Sequence, residues 1–272
     1  MLIYFNLRLI TNFLYRVMNE KTEYFSELLE IMETLRKKCP WDRKQTRESL
    51  RTNTIEETYE LSDAILSMDY EEIRKELGDL IMHIVFYSSI AEEEGHFSIA
   101  GVLQGINEKL KYRHPHIYGN VKAETPEEVE RNWEQLKLKE KGRKHKVLEG
   151  VPVSMPSLVK ALRLQEKASG VGFDWGTKEE VWEKVHEELA EFEEECRSGN
   201  TEGKEQEFGD ILFALVNAAR KYGINPDTAL EETNRKFVRR FDYVEENIGK
   251  PLPESSLEDM DALWNEAKGK GL

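Results

Sequence analysis

Apolar residues recur along this chain at spacings of three and four, which is the period of an amphipathic α-helix. The first half contains four such segments, at residues 28–35, 55–65, 80–90 and 99–110. The second half contains three long ones, at residues 181–192, 208–216 and 229–244, and a shorter one at residues 257–268. Because no segment alternates at a period of two, we predict an all-α fold.

The order of segments in the second half repeats that of the first, which predicts two tandem helical domains. We place the first at residues 22–119 and the second at residues 157–272, with residues 120–156 as the connector. The connector contains a basic run at residues 137–146 and ends in a segment with two prolines at residues 150–156. A polar helix at residues 127–141 is compatible with its composition.

Residues 1–21 form an extension before the first domain. The first 19 residues are largely apolar, with Arg8 and Arg16 and no acidic residue. Arg8 and Asn12 interrupt the apolar run and no small-residue cleavage site follows, which disfavours a signal peptide. We expect an additional helical arm, or an upstream start that precedes a native start near Met18.

Charge and cysteine content restrict the classes of partner. With 39 Lys and Arg against 53 Asp and Glu, the net charge is −14, which disfavours broad contact with nucleic acid or anionic membranes. No segment reaches the ~20 apolar residues of a membrane span. Cys39 and Cys196 lie in different halves and fit neither a zinc site nor a disulfide framework. We therefore expect reduced thiols and a cytoplasmic protein.

An acidic signature occurs twice with the same internal spacing. The first copy comprises Glu56, Glu57, Glu60, Glu76 and Asp79, and the second comprises Glu187, Glu188, Glu191, Glu207 and Asp210. Glu57 precedes Asp79 by 22 positions, and Glu188 precedes Asp210 by 22. A single acidic cluster on a helix is usually solvated surface, but recurrence at fixed offsets indicates a site.

Helical spacing predicts how these acids meet. Residues three or four apart share a helix face, so an antiparallel helix pair brings four carboxylates together in each copy. Such carboxylates repel one another unless a hard cation lies between them, and oxygen-only ligands favour Mg²⁺, Mn²⁺ or Ca²⁺ over zinc. A di-iron bundle would need Glu-x-x-His pairs. The chain has two, at residues 93–96 and 183–186, but neither recurs in the other repeat.

A basic helix follows the acids in both copies. Lys109 and Arg113 correspond to Lys236 and Arg240, each at an offset of 127 positions. Carboxylates that hold a metal, together with Lys and Arg, suit a polyphosphate that bridges the metal and the cations. Each lysine on its own would be read as an ordinary exposed residue. The repeated register favours polyphosphate binding.

Four motifs carry a resemblance to a known family: the doubled acids, Cys-Pro-Trp-Asp at residues 39–42, Arg-His-Pro-His at 113–116, and Gly-Phe-Asp-Trp at 172–175. Over residues 24–268 the chain resembles MazG nucleoside triphosphate pyrophosphohydrolases. The resemblance implies Mg²⁺-dependent hydrolysis of nucleoside triphosphates to monophosphate and pyrophosphate, with broad base tolerance. It also implies the all-α fold shared with dimeric dUTPases, and a homodimer or larger assembly whose subunits complete each site together.

The family's metal ligands fall on Glu188, Glu191, Glu207 and Asp210, with counterparts at Glu57, Glu60, Glu76 and Asp79. Its nucleotide contacts fall on Lys184, Lys236, Arg239, Arg240 and Trp264, and we expect Lys109 and Arg113 to serve the first copy. The chain departs from the family in having Tyr112 before Arg113, whereas the second copy keeps Arg239 and Arg240. We therefore expect the second copy to be the better catalyst.

The expected chemistry is attack of water on the α-phosphorus. Glu187, and Glu56 in the first copy, would orient or deprotonate that water, while Lys236 and Arg240 would stabilise the departing pyrophosphate. Two other functions remain open at this stage. One is a nucleotide-binding regulatory module without chemistry, and the other is a purely structural helical dimer.

Overall fold

The structure is a computed structural model that describes residues 2–123 and 146–272, with residues 125, 128, 129, 132, 133 and 136 between them. For residues 2–18 only the backbone is described. Every regular element in this part of the chain is helical, which confirms the predicted all-α class. Within the predicted polar helix at 127–141, residues 128, 129, 132, 133 and 136 are described and are helical. The rest of that segment and most of the basic run at 137–146 lie outside the described residues.

The chain divides into two compact units, one up to residue 122 and one from residue 123. The first unit comprises α1 (Leu2–Lys38), α2 (Arg47–Leu66), α3 (Tyr70–Glu93), α4 (Ile99–Arg113) and the short α5 (Pro115–Tyr118). The second comprises α6 (Ser157–Ser169), α7 (Lys178–Ser198), α8 (Thr201–Lys221), α9 (Pro226–Asn247) and α10 (Leu257–Gly269). The domain bounds inferred from the sequence remain predictions.

The backbone of α1 runs without interruption from Leu2 to Lys38, so the expected helical extension at residues 1–21 is continuous with the first helix of the first domain. Its status as a separate extension remains a prediction. Helix α6, whose apolar face includes Leu158, Val159 and Leu162, was not predicted. The end of α4 at Arg113 and the final helix from Leu257 agree with expectation. None of the described helices has the length and apolar character to cross a membrane.

The residues that cap the helix N-termini occupy equivalent positions in the two repeats. Thr46 caps α2 by accepting from the backbone N–H of Ser49, and Thr177, 131 positions later, caps α7 by accepting from that of Glu180. Asp69 caps α3 and Asn200, again 131 positions later, caps α8. A side-chain oxygen at this position satisfies an N–H that has no partner within the helix. The offset of 131 therefore pairs equivalent residues of the two helical hairpins.

Each unit has its own small core. In the first, the core lies between α1, α2 and α3 and consists of the buried residues Met32, Leu50, Val85, Phe86 and Ile90. In the second, Val181 and Val185 of α7 pack against Ala214 and Ala218 of α8. Among the described helices of each unit, the pair with the most extensive contact is the hairpin that carries the acidic signature, so core packing fixes the positions of its carboxylates.

Candidate active site

Three carboxylates converge within the second hairpin. Oxygen atoms of Glu188, Glu207 and Asp210 all lie within 4.8 Å of one another. Glu188 lies ten residues before the end of α7 and Asp210 nine residues after the start of α8, so the tight turn between the helices brings them level. The sequence prediction that acids from both helices meet is realised for these three residues.

The first hairpin brings together the equivalent residues. Oxygen atoms of Glu57, Glu76 and Asp79 also lie within 4.8 Å of one another. Here Glu76 is the buried member, at 3 % exposure, whereas in the second hairpin the buried member is Glu188, at 6 %. The two groups therefore match in composition but differ in which carboxylate is removed from water.

The remaining acids of the signature flank these groups. Glu60 and Glu191 are exposed and fall outside the two sets of three among the described residues. Desolvation and the negative charge of Glu188 nevertheless raise the pKa of Glu191. Glu56 is exposed as well, and the carboxylate of Glu187 accepts a hydrogen bond of 2.8 Å from Lys184.

The electrostatics of both groups indicate an excess of negative charge. Burial, a hydrogen bond with Glu76 and the charge of Asp79 raise the pKa of Glu57 to about 7. Burial and the charges of Asp210 and Glu188 likewise raise the pKa of Glu207. In each case the protein's own carboxylates disfavour ionisation of their neighbour, which is the situation that a bound cation reverses.

An unpaired polar atom in the first carboxylate group also indicates a cation site. Oε2 of Glu76 is buried and accepts no hydrogen bond from any described residue. Buried carboxylate oxygens are almost always paired, and leaving one unpaired costs free energy. Three converging oxygen ligands with an unused lone pair fit a hard divalent cation such as Mg²⁺ or Mn²⁺. Neither Glu-x-x-His pair contributes to these groups in the described part of the chain.

The two buried carboxylates have lysine partners from different positions. Nζ of Lys184, on α7, lies 2.7 Å from a carboxylate oxygen of Glu188. Hydrogen bonds to Glu187 and Glu188 raise the pKa of Lys184, so it stays protonated. In the first hairpin the position equivalent to Lys184 is Asn53, and Lys75 on α3 lies 3.7 Å from Glu76 instead.

The layer beneath the carboxylates is polar in one repeat and apolar in the other. The hydroxyl of Thr54 lies 3.2 Å from Nδ1 of His83 and 2.8 Å from the hydroxyl of Tyr87. Burial lowers the pKa of His83 and favours its neutral form. The equivalent positions of the second repeat are Val185, Ala214 and Ala218, which form its apolar core. This difference was not foreseen from the acidic pattern, which is the same in both copies.

The predicted basic residues lie on the helices that follow the hairpins. Arg240 donates a hydrogen bond of 2.7 Å to the carbonyl oxygen of Leu272, and its guanidinium lies 5.6 Å from the ring centre of Trp264. Among the described residues, no hydrogen bond or ion pair joins Lys236 or Arg239 to the carboxylates. On α4, Lys109 is exposed and Arg113 is half-buried. Their predicted contacts with nucleotide remain predictions.

A cavity of about 560 Å³ opens beside the second carboxylate group. Lys184, Glu188 and Asp210 line one part of it. The rest of its wall includes Phe173 and Trp175 from the loop before α7, together with Gln165, Asn217 and Arg220. The loop was predicted from its glycines. The polar residues of α6 and α8 were missed, since they belong to no repeated motif.

The sequence profile of the MazG nucleotide pyrophosphohydrolase domain matches this chain twice, at residues 45–118 and 176–244. These two regions contain the two acidic hairpins. The chain belongs to the MazG family. The family assignment predicted from the motifs is thereby confirmed, and with it the tandem repeat of MazG domains.

Relatives with known sequences extend the similarity over most of the chain. A nucleoside triphosphate pyrophosphohydrolase of Escherichia coli (strain K12) is 41% identical over 251 residues, which are 89% of this chain and 95% of the relative. The nucleoside triphosphate pyrophosphohydrolase/pyrophosphatase MazG of Thermotoga maritima is 43% identical over 258 residues, 93% of this chain and 98% of the relative. The uncharacterized protein YabN of Bacillus subtilis is 46% identical over 261 residues, but these cover only 53% of that protein.

Proposed function

We propose that this protein hydrolyses nucleoside triphosphates to nucleoside monophosphates and pyrophosphate. The observation that carries the proposal is the convergence of three carboxylates in each MazG hairpin, with oxygens within 4.8 Å of one another. The names of the E. coli and T. maritima relatives agree with this activity. Broad base specificity, a housekeeping role in the nucleotide pool and a cytoplasmic location are part of the proposal, the last supported by two free cysteines.

The residues proposed to hold Mg²⁺, with Mn²⁺ as a substitute, are Glu188, Glu207 and Asp210, joined by Glu191. In the first repeat they are Glu57, Glu76, Asp79 and Glu60. The metal, when bound, supplies positive charge that offsets the phosphates and lowers the pKa of a coordinated water. The raised pKa of Glu207 fits this role, because its carboxylate lacks sufficient positive charge in the protein alone.

The chain's own residues account for the remaining steps. Glu187 takes a proton from the attacking water, whose oxygen forms a bond to the α-phosphorus while the bond to the bridging oxygen breaks. Pyrophosphate leaves with the electron pair of that bond. Lys184, which is kept protonated by its hydrogen bonds, offsets the charge of Glu187 and Glu188 and orients both carboxylates.

Cations on α9 are proposed to receive the leaving group. Lys236 and Arg240 share one face of this helix, and Arg239 lies beside them. Arg240 and Trp264 already lie next to each other, so they can contact the nucleotide together. The first repeat has Tyr112 where the second has Arg239, and we therefore assign most of the turnover to the second repeat, with Glu56, Lys109 and Arg113 serving the first.

A homodimer or larger homo-oligomer is proposed from the exposed apolar side chains of the acidic hairpin. Leu189 on α7 and Phe208, Leu212 and Leu215 on α8 are each between 41 % and 51 % exposed. Clusters of exposed large apolar residues are typical of protein interfaces. Light scattering after gel filtration tests this, and a monomeric mass at micromolar concentration would contradict it.

Incubation with Mg²⁺ and a panel of ribo- and deoxyribonucleoside triphosphates in H₂¹⁸O tests the reaction. Attack at the α-phosphorus gives pyrophosphate and a monophosphate that carries the ¹⁸O label. Attack at the β-phosphorus places the label in pyrophosphate, and cleavage to diphosphate releases inorganic phosphate instead. Intact nucleotide that still binds would identify a regulatory module and overturn the proposed activity.

A further inference from the structure

The cavity beside Glu188 has two chemically different regions. One holds the carboxylates of Glu188 and Asp210 and the ammonium group of Lys184. The other is lined by aromatic and aliphatic side chains: Phe173, Trp175, Phe213, Ala214, Leu148 and Leu164. Its volume of about 560 Å³ is in the range of small-molecule sites. A ligand that fits both regions has a charged end that suits a metal and a flat, largely apolar end.

Two buried polar atoms on residues of this wall have no hydrogen-bond partner among the described residues: Oε1 of Gln165 and Nε of Arg220. Gln165 is 6 % exposed. Its side-chain nitrogen donates 2.8 Å to the backbone carbonyl of Phe213. Because a carbonyl oxygen only accepts hydrogen bonds, this contact fixes the orientation of the amide and leaves Oε1 as the unused acceptor. Unpaired buried polar atoms of this kind indicate a missing partner.

The first repeat provides an internal comparison. At the positions equivalent to Ala214 and Asn217, 131 residues earlier, it has His83 and Phe86. His83 is 4 % exposed and Phe86 is 2 % exposed, and Phe86 packs into the core of its unit. The second repeat thus has smaller side chains at two positions that line the cavity. Ala214 and Asn217 therefore fill less of the space beside the carboxylates than a histidine and a phenylalanine would at the same positions.

Phe173 and Trp175 are held in place by an ion-pair network in the same loop. Asp174, between them, accepts hydrogen bonds from Arg220 at 3.1 Å and from Ser169 at 2.9 Å, and Lys221 lies 2.9 Å away. The network anchors the loop to α6 and α8, while Phe173 remains 82 % exposed. An exposed aromatic ring on an anchored loop is a surface on which a planar base can stack.

We propose that this cavity binds the base of the nucleotide, with a base N–H group as the partner that Gln165 lacks. The inference rests on the proposed function and adds to it a specificity determinant in the second repeat. Stacking on Phe173 and Trp175 depends little on base identity. Pairing with Gln165 instead requires an N–H donor on the base, so bases without one are disfavoured.

Purine riboside triphosphate tests the hydrogen bond, because it is ATP without the exocyclic amino group and its base carries no N–H. The unaltered protein should use ATP with a kcat/KM about 10- to 100-fold higher, the range for an unpaired buried polar group. Gln165→Leu should bring this ratio close to one. Equal use of the two substrates by the unaltered protein overturns the inference, although the proposed function still stands.

A second measurement uses binding and does not depend on turnover. Asn217→Phe introduces the side chain of the first repeat, and it should weaken binding of α,β-methylene ATP in the presence of Mg²⁺ by about 10-fold or more. Inorganic tripolyphosphate, which has no base, should lose less than 2-fold, roughly within experimental error. The matched control is Asn247→Phe at the end of α9, outside the cavity wall.

The outcomes separate the two proposals. Equal losses of both ligands in Asn217→Phe mean that the phosphate site was disturbed and no base lies in the cavity, which overturns the inference. If no triphosphate is hydrolysed by the unaltered protein, the proposed function fails, and the binding comparison alone decides whether the cavity holds a base. Thermal melting of each variant verifies that it is folded.

Discussion

The Nζ atom of Lys184 lies 2.7 Å from a carboxylate oxygen of Glu188, within one helix. Glu188 is the most buried acid of its group, and among the described residues it forms its ion pair with Lys184. The first repeat has Asn53 in place of this lysine, and its buried Glu76 pairs with the preceding residue of α3, Lys75. The buried carboxylate of the acidic signature is therefore paired with a lysine at a different position in each repeat.

Replacement of Glu188 by Gln should reduce pyrophosphate release from the second repeat by at least about 100-fold, since it removes a charged ligand of the metal but keeps the shape of the side chain. The measurement is pyrophosphate release at saturating Mg²⁺. Glu57→Gln is the matched variant in the first repeat. Full activity in Glu188→Gln, with loss of activity in Glu57→Gln, would assign catalysis to the first repeat instead.

Addition of Mg²⁺ should raise the melting temperature, because a cation removes the repulsion within each carboxylate group. Binding at 100 times the dissociation constant adds about 2.7 kcal/mol to the free energy of unfolding. The double variant with Glu57→Gln and Glu188→Gln should lose most of this effect. An unchanged melting temperature of the unaltered protein would favour the structural helical dimer.

Acid should weaken the second unit through Asp174. Burial on its own would raise the pKa of Asp174, but hydrogen bonds from Arg220, Lys221 and Ser169 outweigh it and hold the pKa well below its usual value. The folded state therefore binds this proton less tightly than the unfolded state, whose Asp pKa is about 3.9. The stabilisation is complete above about pH 5. It is lost progressively as the pH falls through the pKa of the unfolded state toward the lower pKa of the folded state.

Asp174→Asn checks this expectation. Urea unfolding at pH 7 should show a loss of about 2 kcal/mol, the scale of hydrogen bonds to a charged group. The difference between the two proteins should shrink as the pH falls from 5 to 2.5. A difference that stays constant over this range would mean that Asp174 contributes by packing alone.

The turns of the two hairpins should respond in opposite ways to substitution. Met68 has φ +54° and Gly199, 131 positions later, has φ +79°, both in the left-handed region. A side chain there costs about 1 kcal/mol, which glycine avoids. We expect Met68→Gly to raise the free energy of unfolding by roughly 0.5 kcal/mol and Gly199→Ala to lower it by about 1 kcal/mol.

Chemical denaturation of both variants measures these changes. Apart from the residues adjacent to Gly199 in the chain, no atom of the described residues lies within 4 Å of the position that a Cβ would take there, so a loss in Gly199→Ala would come from the backbone and not from a clash. The pair is thus a test of conformational strain at equivalent positions. A loss of stability in Met68→Gly would show that its side chain contributes more by packing than the left-handed backbone costs.

Much of this architecture could be predicted from the sequence. Helical periodicity determined the fold class and the long helices, because burial of one helix face requires apolar residues at that period. The equal offsets between acids in the two repeats predicted that Glu57, Glu76 and Asp79 meet, because a helical hairpin of this length places these positions of its two helices side by side. The family assignment followed from the same spacing together with three short motifs.

Other features were decided only by the tertiary structure. The sequence has Glu at positions 57, 76, 188 and 207 and does not distinguish between them. Packing buries Glu76 in the first repeat and Glu188 in the second. Likewise, Gln165 and Asn217 belong to no motif, and α6 itself was not predicted. Their role depends on which side chains leave space beside them, and that depends on contacts between residues far apart in the chain. Local sequence patterns do not encode such contacts. The cavity and the unpaired Oε1 of Gln165 could therefore be recognised only in the tertiary structure.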